Sequence, residues 1–489
     1  MEEARWGLLK LAGYPYPTPP LSFAQGYEGC SKSFPVVSQA ALLTPFSRSK
    51  NKLISPLIST WDPVAGTLLK PSNNGLPAPG LETNAPAQQM SKTSDSSQAG
   101  WSCSTCGSDR LEAVFELPDT PVLVCMLWPD RDSARDCPRG DISLRFCAGC
   151  GLIENHEFDP GRVVYGEGYE NALHFSEVFQ GYMRDLARQV VDDHDLRDRR
   201  VAEIGCGDGE FLRELCRAGA AEGLGFDPSY PPGLPETIDG GRVRVRREFF
   251  APVSGSLDAD AVVCRHVLEH VPAPRKFLED VRAALPPGER PPVVFEVPNT
   301  RYMLESVSIW DVMYEHRTYF TRGSLARAFA AAGFDVTEAG DTYEGIFTLV
   351  TAQPAGDGSG SIEIPVDTPE EIAAGVATFR EQSSARLEFW RDRLERCRLE
   401  GSKVALWGAG ARGVGFLNIA DPQGTVEVAI DLNTRKHGLH VAGTGQVVRP
   451  PEYLKDFKPD MVIITNPVYR EEIRKDLNEM GLDPEIILA

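Results

Sequence analysis

The chain has 489 residues, of which 25% are charged and 42% hydrophobic, and its formal net charge is -20. This length predicts about three domains, and the composition is ordinary for a globular protein. The negative charge argues against a nucleic-acid or anionic-membrane partner, because such binding depends on Lys and Arg side chains. No apolar run is long enough to span a bilayer and no secretory signal is visible, so we expect a cytoplasmic protein.

Residues 1–100 differ from the rest of the chain. They are rich in Pro, Ser, Gly, Thr and Asn and lack a sustained helical or strand period. We interpret this segment as disordered or as an upstream extension. Met90 precedes a Ser-rich stretch and the first ordered motif, so a translation start at Met90 is a hypothesis that mass spectrometry of native N-terminal peptides would test.

Two cysteine pairs mark a predicted zinc-binding domain at residues 101–160. Cys103-x-x-Cys106 and Cys147-x-x-Cys150 each end in a turn-forming glycine. Four thiolates in two such pairs suit tetrahedral zinc, and the absence of a His or carboxylate within the pairs favours a structural site. The alternatives are a redox dithiol or two coincidental pairs.

A second domain is predicted at residues 161–353, and it opens with the loop YGEGYENALHFS. This loop either closes over a cofactor or is a structured connector. Ser176 is a suitable N-cap for the helix that follows. The helix repeats apolar residues at helical spacing, which indicates a core-facing stripe, at Phe179, Met183, Leu186 and Val190.

The most informative stretch of this domain is VAEIGCGDGEFLRELCRAGAAEGLGFDPSY. A strand at 201–204 runs into three glycines at every second position, a helix and a second strand that ends at Asp227. Glycines let the backbone turn sharply, and a helix N-terminus offers free N–H groups. A carboxylate after the second strand suits ribose hydroxyls. The spacing E-x-G-x-G-x-G resembles motif I of the class I S-adenosylmethionine-dependent methyltransferases. The resemblance implies that Glu203, Gly205, Gly207, Gly209 and Asp227 bind the cofactor.

Alternating strands and helices continue this pattern and predict a sheet of about seven strands. We expect further strands at 242–245, 260–264, 293–297, 334–337 and 347–352, and a helix at 274–285. Ligands bind where the strands of such sheets end. His266, His270, Glu296 and Asn299 are therefore candidates for one crevice.

An acid–histidine pair, Glu315-His316, lies among aromatic residues in the stretch WDVMYEHRTYF. A single such histidine is more often a core residue satisfied by a neighbour. Three histidines near the mouth of one sheet (His266, His270 and His316) favour a chemical role for at least one.

Residues 354–400 are predicted to form a linker and a long helix from about 369 to 400 that packs across two domains. A small Rossmann-like domain is predicted at 401–489. Gly408-x-Gly410-x-x-Gly413 follows a strand and precedes a helix, and Asp431 ends the next strand, which matches the dinucleotide fingerprint. Either a nucleotide binds at this helix N-terminus or the module is empty.

This order of motifs resembles the three-domain C-methyltransferases that modify nucleotide-linked keto-deoxysugars in antibiotic pathways. The resemblance covers the chain from about residue 101 onward. It implies an α/β fold with a central class I methyltransferase Rossmann-like seven-stranded sheet, an N-terminal zinc-binding domain and a small C-terminal Rossmann-like domain. It also implies a structural zinc on Cys103, Cys106, Cys147 and Cys150, and a small-molecule substrate, here a sugar nucleotide, between the middle and last domains. The middle domain would bind S-adenosylmethionine, with His266 among its contacts.

The resemblance further implies a mechanism. His316, oriented by Glu315, would remove a proton next to a ketone, and His270 and Tyr314 would stabilise the enolate oxygen. One departure is that the family sequence Tyr-Asp-Glu-His is replaced here by Met313-Tyr314-Glu315-His316, which moves the tyrosine next to the glutamate. The alternatives are an O- or N-methyltransferase, an NAD-dependent oxidoreductase that uses Gly408, Gly410, Gly413 and Asp431, and a non-catalytic zinc adaptor.

Overall fold

The computed structural model describes residues 100–489, except 166–167, 232–236, 239–241, 252–254, 256 and 357–358. The predicted N-terminal extension lies outside the described residues, apart from Gly100. None of the described helices is both long and apolar enough to cross a membrane.

An N-terminal lobe is built on an antiparallel sheet. Its elements are β1 (Leu111–Pro121), β2 (Leu127–Trp128), α1 (Arg131–Arg135), β3 (Arg139–Cys147) and β4 (Ile153–Asn155). In β1, the exposed Glu116 lies between the half-buried Phe115 and Leu117, as in a strand with one covered face, and a register shift at the buried Val114 interrupts this alternation. β3 pairs with β1 and β4, so the second cysteine pair begins at the end of the central strand.

The central part is a doubly wound α/β layer. Its elements are α2 (Glu177–Asp193), β5 (Arg200–Ile204), α3 (Glu210–Ala218), β6 (Glu222–Phe226), β7 (Thr237–Ile238), β8 (Val243–Arg246), β9 (Ala261–Arg265), α4 (Pro274–Ala284), β10 (Val293–Pro298), α5 (Thr300–Glu305), α6 (Arg322–Ala331), β12 (Phe334–Thr342) and β13 (Phe347–Pro354). Between α5 and α6, the two-residue β11 (Thr318–Tyr319) pairs with β4 and extends the sheet of the N-terminal lobe.

The sheet order is β12-β13-β10-β9-β5-β6-β8-β7. β13 runs antiparallel to both neighbours, and the strands from β10 to β8 are parallel. This confirms the predicted class I methyltransferase sheet, with the two-residue β7 as an eighth strand at the described edge. Strand order reverses between β5 and β9, and such a switch point is where an open α/β sheet binds ligands.

The C-terminal part begins with a long helix. Its elements are α7 (Pro369–Glu400), β14 (Val404–Trp407), α8 (Ala411–Ala420), β15 (Val426–Ile430), β16 (His440–Val441), β17 (Val448–Arg449), α9 (Leu454–Phe457), β18 (Met461–Ile464), α10 (Arg470–Glu479) and β19 (Glu485–Leu488). The sheet order is β17-β15-β14-β18-β19, with all strands parallel, as expected for a Rossmann-like module. We call the elements from β14 to β19 the C-terminal module.

α7 joins the N-terminal lobe to the C-terminal module. A capping box between Thr368 and Glu371 starts this helix, and Gly401 ends it in the left-handed conformation. The ring of Phe379 packs 5.8 Å from Phe115 of the lobe. The ring of Trp390 packs 4.9 Å from Phe416 of the module. Buried aromatic contacts at both ends fix the position of the module against the rest of the chain.

Candidate active site

The first glycine-rich turn connects β5 to α3. Gly205, Gly207 and Gly209 have φ values of 74°, 55° and 79°, which side chains other than glycine rarely adopt. Gly209 begins α3 without a side-chain cap, so the first helical N–H groups remain available to a ligand. A Cβ atom on Gly207 would meet nothing within 4 Å, whereas one on Gly205 would clash with Val267. The turn therefore borders open space at Gly207 and contacts the segment after β9 at Gly205.

Two acids flank this turn. Asp227 follows β6, and its Oδ2 accepts a hydrogen bond from the Gly207 N–H at 2.8 Å. Burial raises the pKa of the Asp227 carboxyl. Glu203 is buried within β5, and its Oε2 has no hydrogen-bond partner among the described residues. Burial raises the pKa of Glu203 to about 8. An orphaned buried carboxyl oxygen beside an open glycine turn fits the amino group of S-adenosylmethionine.

A crevice opens at the carboxyl ends of β9 and β10 and extends to the carboxyl ends of β14, β15 and β18. It is lined by polar groups of the central layer and of the C-terminal module: Tyr169, His266, Glu269, His270, Asn299, Glu315, His316, Gly408, Gly410, Arg412, Gly413, Asp431, Lys436 and Thr465. The crevice thus brings together the predicted histidines and the second glycine-rich sequence.

His270 lies in the wall of this crevice. Its Nδ1 is 2.9 Å from the hydroxyl of Tyr165 and 3.1 Å from the carbonyl oxygen of Glu315. Its Nε2 is 4.0 Å from Oε1 of Glu269. Burial lowers the pKa of His270 to about 4, so the ring is neutral at pH 7.

The carboxylate of Glu315 does not orient His316 in the way the sequence suggested. Its Oε1 accepts from the Val124 N–H at 3.0 Å, its Oε2 accepts from the Tyr169 hydroxyl at 2.9 Å, and Oε2 is 3.8 Å from His270 Nδ1. Burial raises the pKa of Glu315 to about 7. Neighbouring side chains in an irregular segment leave the backbone in different directions. Glu315 and His316 are therefore adjacent in sequence but do not form the expected acid–histidine pair.

His316 instead packs against His270, with ring centroids 4.8 Å apart. Burial lowers the pKa of His316 well below its ordinary value. One carboxyl oxygen of Glu269 and one ring nitrogen each of His270 and His316 lie within 4.8 Å of one another, a grouping that could also hold a metal ion. Burial raises the pKa of Glu269 to about 8, and its Oε2 has no partner among the described residues. Glu269 is therefore the acid of this cluster.

The other residues predicted to line the crevice, His266, Glu296 and Asn299, differ in their contacts. His266 has a φ of 55°, and its Nε2 is 3.4 Å from Glu296. Glu296 is buried, and although burial opposes ionisation, Arg265 at 2.9 Å holds its pKa at about 2. Asn299 caps α5 and donates to the Gly345 carbonyl at 2.9 Å. Glu296 and Asn299 thus have local structural partners, whereas His266 faces the crevice.

Tyr314 points away from the crevice. Its hydroxyl donates to the Glu157 carbonyl at 3.2 Å and accepts from the Asp159 N–H at 3.0 Å. Its ring stacks on Phe158 and occupies the space beside Gly140. The expected contact between Tyr314 and an enolate oxygen does not fit this position, because the side chain is buried in the N-terminal lobe.

The four paired cysteines converge. Sγ of Cys103 is 3.5 Å from that of Cys150, and Sγ of Cys106 is 3.5 Å from that of Cys147. All four sulfur atoms lie within 4.8 Å of one another, and the ten described cysteines are free thiols. Four thiolates around zinc, at about 2.3 Å from the metal, have comparable separations. The cluster is compatible with the predicted structural zinc, whereas Cys125 and Cys137 do not join it.

The second glycine-rich turn connects β14 to α8. A Cβ atom on Gly413 would clash with the Gly408 carbonyl oxygen, so a glycine is required there. Gly410 begins α8 without a side-chain cap, and a Cβ atom on it would meet nothing. Asp431 accepts a hydrogen bond from the Ala409 N–H at 2.9 Å, and the buried Lys436 ammonium lies 3.0 Å from the same oxygen. A helix N-terminus and an ammonium at one edge of the crevice suit a phosphate group.

Comparisons with known proteins identify two domains in this chain. A family model described as a methyltransferase domain matches residues 175–339, and one described as the C-methyltransferase C-terminal domain matches residues 368–483. The C-methyltransferase NovU of Streptomyces niveus is 27% identical over 390 residues, which are 76% of this chain and 90% of that protein. With a methyltransferase domain followed by a C-methyltransferase C-terminal domain, this chain is an S-adenosylmethionine-dependent C-methyltransferase similar to NovU.

Solved structures also resemble part of this C-methyltransferase. An S-adenosylmethionine-dependent methyltransferase from Mesorhizobium loti is 18% identical, with 36% of this chain and 99% of that chain covered and a TM-score of 0.29. The 1,6-didemethyltoxoflavin-N1-methyltransferase of Burkholderia thailandensis is 17% identical, with 37% and 81% covered and a TM-score of 0.28.

Several site residues of the C-methyltransferase were not selected from its sequence. Tyr165 and Tyr169 lie in the aromatic loop that was considered as a cover, and their hydroxyls contact His270 and Glu315. Glu269 lies inside the motif that supplied two histidines, so its position next to His270 was a usable signal. Lys436 gave no signal, because a lysine in a polar segment is usually solvated.

Proposed function

We propose that this C-methyltransferase methylates a carbon next to a ketone in a nucleotide-linked keto sugar. The observation that carries the proposal is the continuous crevice between a cluster of neutral imidazoles and a second glycine-rich turn with a buried ammonium. The imidazoles suit proton removal at the sugar, and the turn suits the phosphates of the nucleotide.

The cofactor residues are proposed to be Glu203, Gly205, Gly207, Gly209 and Asp227, with His266 at the crevice end. S-adenosylmethionine supplies an activated methyl group when bound, so the protein contributes positioning and exclusion of water. The open space beside Gly207 and the orphaned oxygen of Glu203 support this assignment.

His316 is proposed to act as the general base. Its burial favours the neutral ring, which is the form that accepts a proton. Glu269, within 4.8 Å, would stabilise the resulting imidazolium in its ionised form, which is the minor form at pH 7 because its pKa is about 8. A positioned base of this kind contributes about 10²–10⁴-fold to the rate.

His270 is proposed to stabilise the enolate oxygen in place of Tyr314. The Glu315 carbonyl oxygen, 3.1 Å from Nδ1 of His270, can only accept, so Nδ1 carries the proton of the neutral ring. Nε2, 4.0 Å from Glu269, becomes a donor to the enolate oxygen when it is protonated. An N–H donor aimed at a developing oxyanion is worth most in a buried site of this kind. Glu315 then holds the loop that precedes α2 through a hydrogen bond from the Tyr169 hydroxyl, and it lies beside His270.

The other regions have supporting roles in this proposal. Residues 101–160 form a zinc-binding domain that takes no part in the chemistry, residues 161–353 form the methyltransferase domain and residues 401–489 form the nucleotide-binding module. Residues 354–400 connect the last two. O- or N-methylation by the same scaffold is the second candidate, because a neutral imidazole also serves as base for a hydroxyl.

Solvent deuterium separates these candidates. The enzyme is incubated with a panel of nucleotide-linked keto sugars, S-adenosylhomocysteine and deuterium oxide, and the sugars are analysed by mass spectrometry and NMR. The proposal expects deuterium at the carbon beside the ketone with wild type and none with His316→Ala. A parallel incubation with S-adenosylmethionine yields the methylated product. A methyl group on oxygen, or methylation of a sugar that shows no exchange at that carbon, would overturn carbon methylation.

A further inference from the structure

A six-residue segment after β15, residues 431–436, touches both glycine-rich turns. At one end, Asp431 accepts from the Ala409 N–H, and Lys436 donates to the Ala409 carbonyl at 3.1 Å. At the other end, Arg435 reaches out of the C-terminal module toward the first turn, which belongs to the central layer. The segment is therefore a physical link between two sites that are distant in sequence.

Arg435 makes three contacts with the central layer. Its Nη2 donates to Oδ2 of Asp208 at 3.0 Å, and its Nη1 donates to Oε2 of Glu170 at 3.4 Å. Its guanidinium also lies 5.5 Å from the ring centre of Phe175. Asp208 stands between Gly207 and Gly209 in the first turn, so one guanidinium bridges the turn and the loop that precedes α2.

Other groups of the C-terminal module hold the same loop. The side-chain amide of Asn433 donates to Glu170 at 3.0 Å and to the Ala172 carbonyl at 3.4 Å. Glu472 of α10 accepts from the Ser176 hydroxyl at 2.8 Å and from the Glu177 N–H at 3.0 Å. The loop is thus fastened to the module at both of its ends.

We propose that Arg435 is a positioning residue for the cofactor, and that the C-terminal module completes the S-adenosylmethionine site. The inference rests on the proposed assignment of the first turn to the cofactor. A turn built on three glycines is costly to order, because glycine loses the most conformational freedom on folding. Asp208 supplies a side chain by which the turn can be held. Arg435 holds it and also offsets the repulsion between the Asp208 and Glu170 carboxylates.

The test is calorimetric titration of the full chain with S-adenosylhomocysteine. Arg435→Gln should raise the Kd about fivefold to tenfold, and the effect should shrink at high salt because the contacts are partly exposed. Asp208→Asn should give a similar loss, and the double variant should lose less than the sum of the two, since both remove one interaction. In turnover assays, KM for S-adenosylmethionine should rise more than kcat falls.

Arg474→Gln is the matched control, because Arg474 pairs with Glu471 on the exposed surface of the same module. It should leave the Kd unchanged. If Arg435→Gln lowers the melting temperature but binds S-adenosylhomocysteine as wild type does, the contact only holds the fold and the inference is wrong. If wild type binds S-adenosylhomocysteine and Asp227→Asn binds it equally well, the assignment of the first turn fails instead.

Discussion

The two glycine-rich turns are each tied to the neighbouring strand by an aspartate, but they carry different charges. Oδ2 of Asp227 accepts from Gly207 N at 2.8 Å, and Oδ2 of Asp431 accepts from Ala409 N at 2.9 Å. Oδ1 of each aspartate accepts from the N–H two residues later, at 2.8 Å in both cases. Each aspartate thus ties its turn to the strand beside it.

The difference is Lys436. Its ammonium is buried and lies 3.0 Å from Asp431, whereas Asp227 has no ion-pair partner among the described residues. An unpaired carboxylate can accept hydrogen bonds from ribose hydroxyls, and a turn that carries a lysine favours a phosphate. In the proposed function, the two turns would serve two different ligands, and the neighbouring lysine would distinguish them.

The largest effect is expected in the crevice beside the second turn. His316→Ala should lower kcat by about 10²–10⁴-fold, because it removes the proposed base. The affinity for S-adenosylhomocysteine should stay within about threefold of wild type. Tyr314→Phe is the control, since its hydroxyl faces the N-terminal lobe, and it should keep kcat. Equal turnover by wild type and His316→Ala in a steady-state assay would contradict the assigned base.

Lys436→Met tests the charge that distinguishes the second turn. KM for the nucleotide-linked acceptor should rise at least about tenfold, while the affinity for S-adenosylhomocysteine changes less than about threefold. Loss of one partner of a buried ion pair also costs about 3–5 kcal/mol, so the folded fraction must be checked by thermal unfolding. Lys403→Met is the control, because that lysine bonds the Phe457 carbonyl at an exposed position of the same module. An unchanged acceptor KM in folded Lys436→Met would exclude the phosphate role.

Zinc removal should affect stability and leave both turns intact. Wild type should contain about one zinc per chain at the cysteine cluster, and Cys147→Ser should lose it together with several kcal/mol of unfolding free energy. Elemental analysis and denaturant unfolding measure the two quantities. Cys137→Ser, outside the cluster, should keep the zinc. Zinc retained by Cys147→Ser would place the metal elsewhere.

The smallest effect concerns pH. The pKa of Glu269 is raised to about 8 in the folded state, so its contribution to stability is present below its ordinary pKa of 4.5 and is lost as the pH rises through 8. Glu269→Gln should therefore weaken the decline in unfolding free energy between about pH 5 and 8. Urea unfolding across this range, with the exposed Glu279→Gln as control, checks the slope. An identical slope in wild type and Glu269→Gln would mean that Glu269 titrates normally.

The fold was predictable because it depends on patterns that are local in sequence. Buried strands, glycine-rich turns and the capped helix α7 can each be recognised from the identity of a few neighbouring residues. A candidate site position could be predicted most directly where a residue immediately follows a strand, as His266 and Asp227 do. Glu315 and Tyr314 failed this logic because they lie in an irregular segment, where the direction of a side chain depends on distant partners such as Val124 and Glu157.

The most direct test of the account is calorimetric titration of wild type and Asp227→Asn with S-adenosylhomocysteine and, separately, with NAD. The account predicts that wild type binds S-adenosylhomocysteine, that Asp227→Asn loses at least about tenfold in affinity, and that NAD does not bind. Binding of NAD alone, or equal affinity of both proteins for S-adenosylhomocysteine, would contradict the assignment of the first turn to the methyl donor.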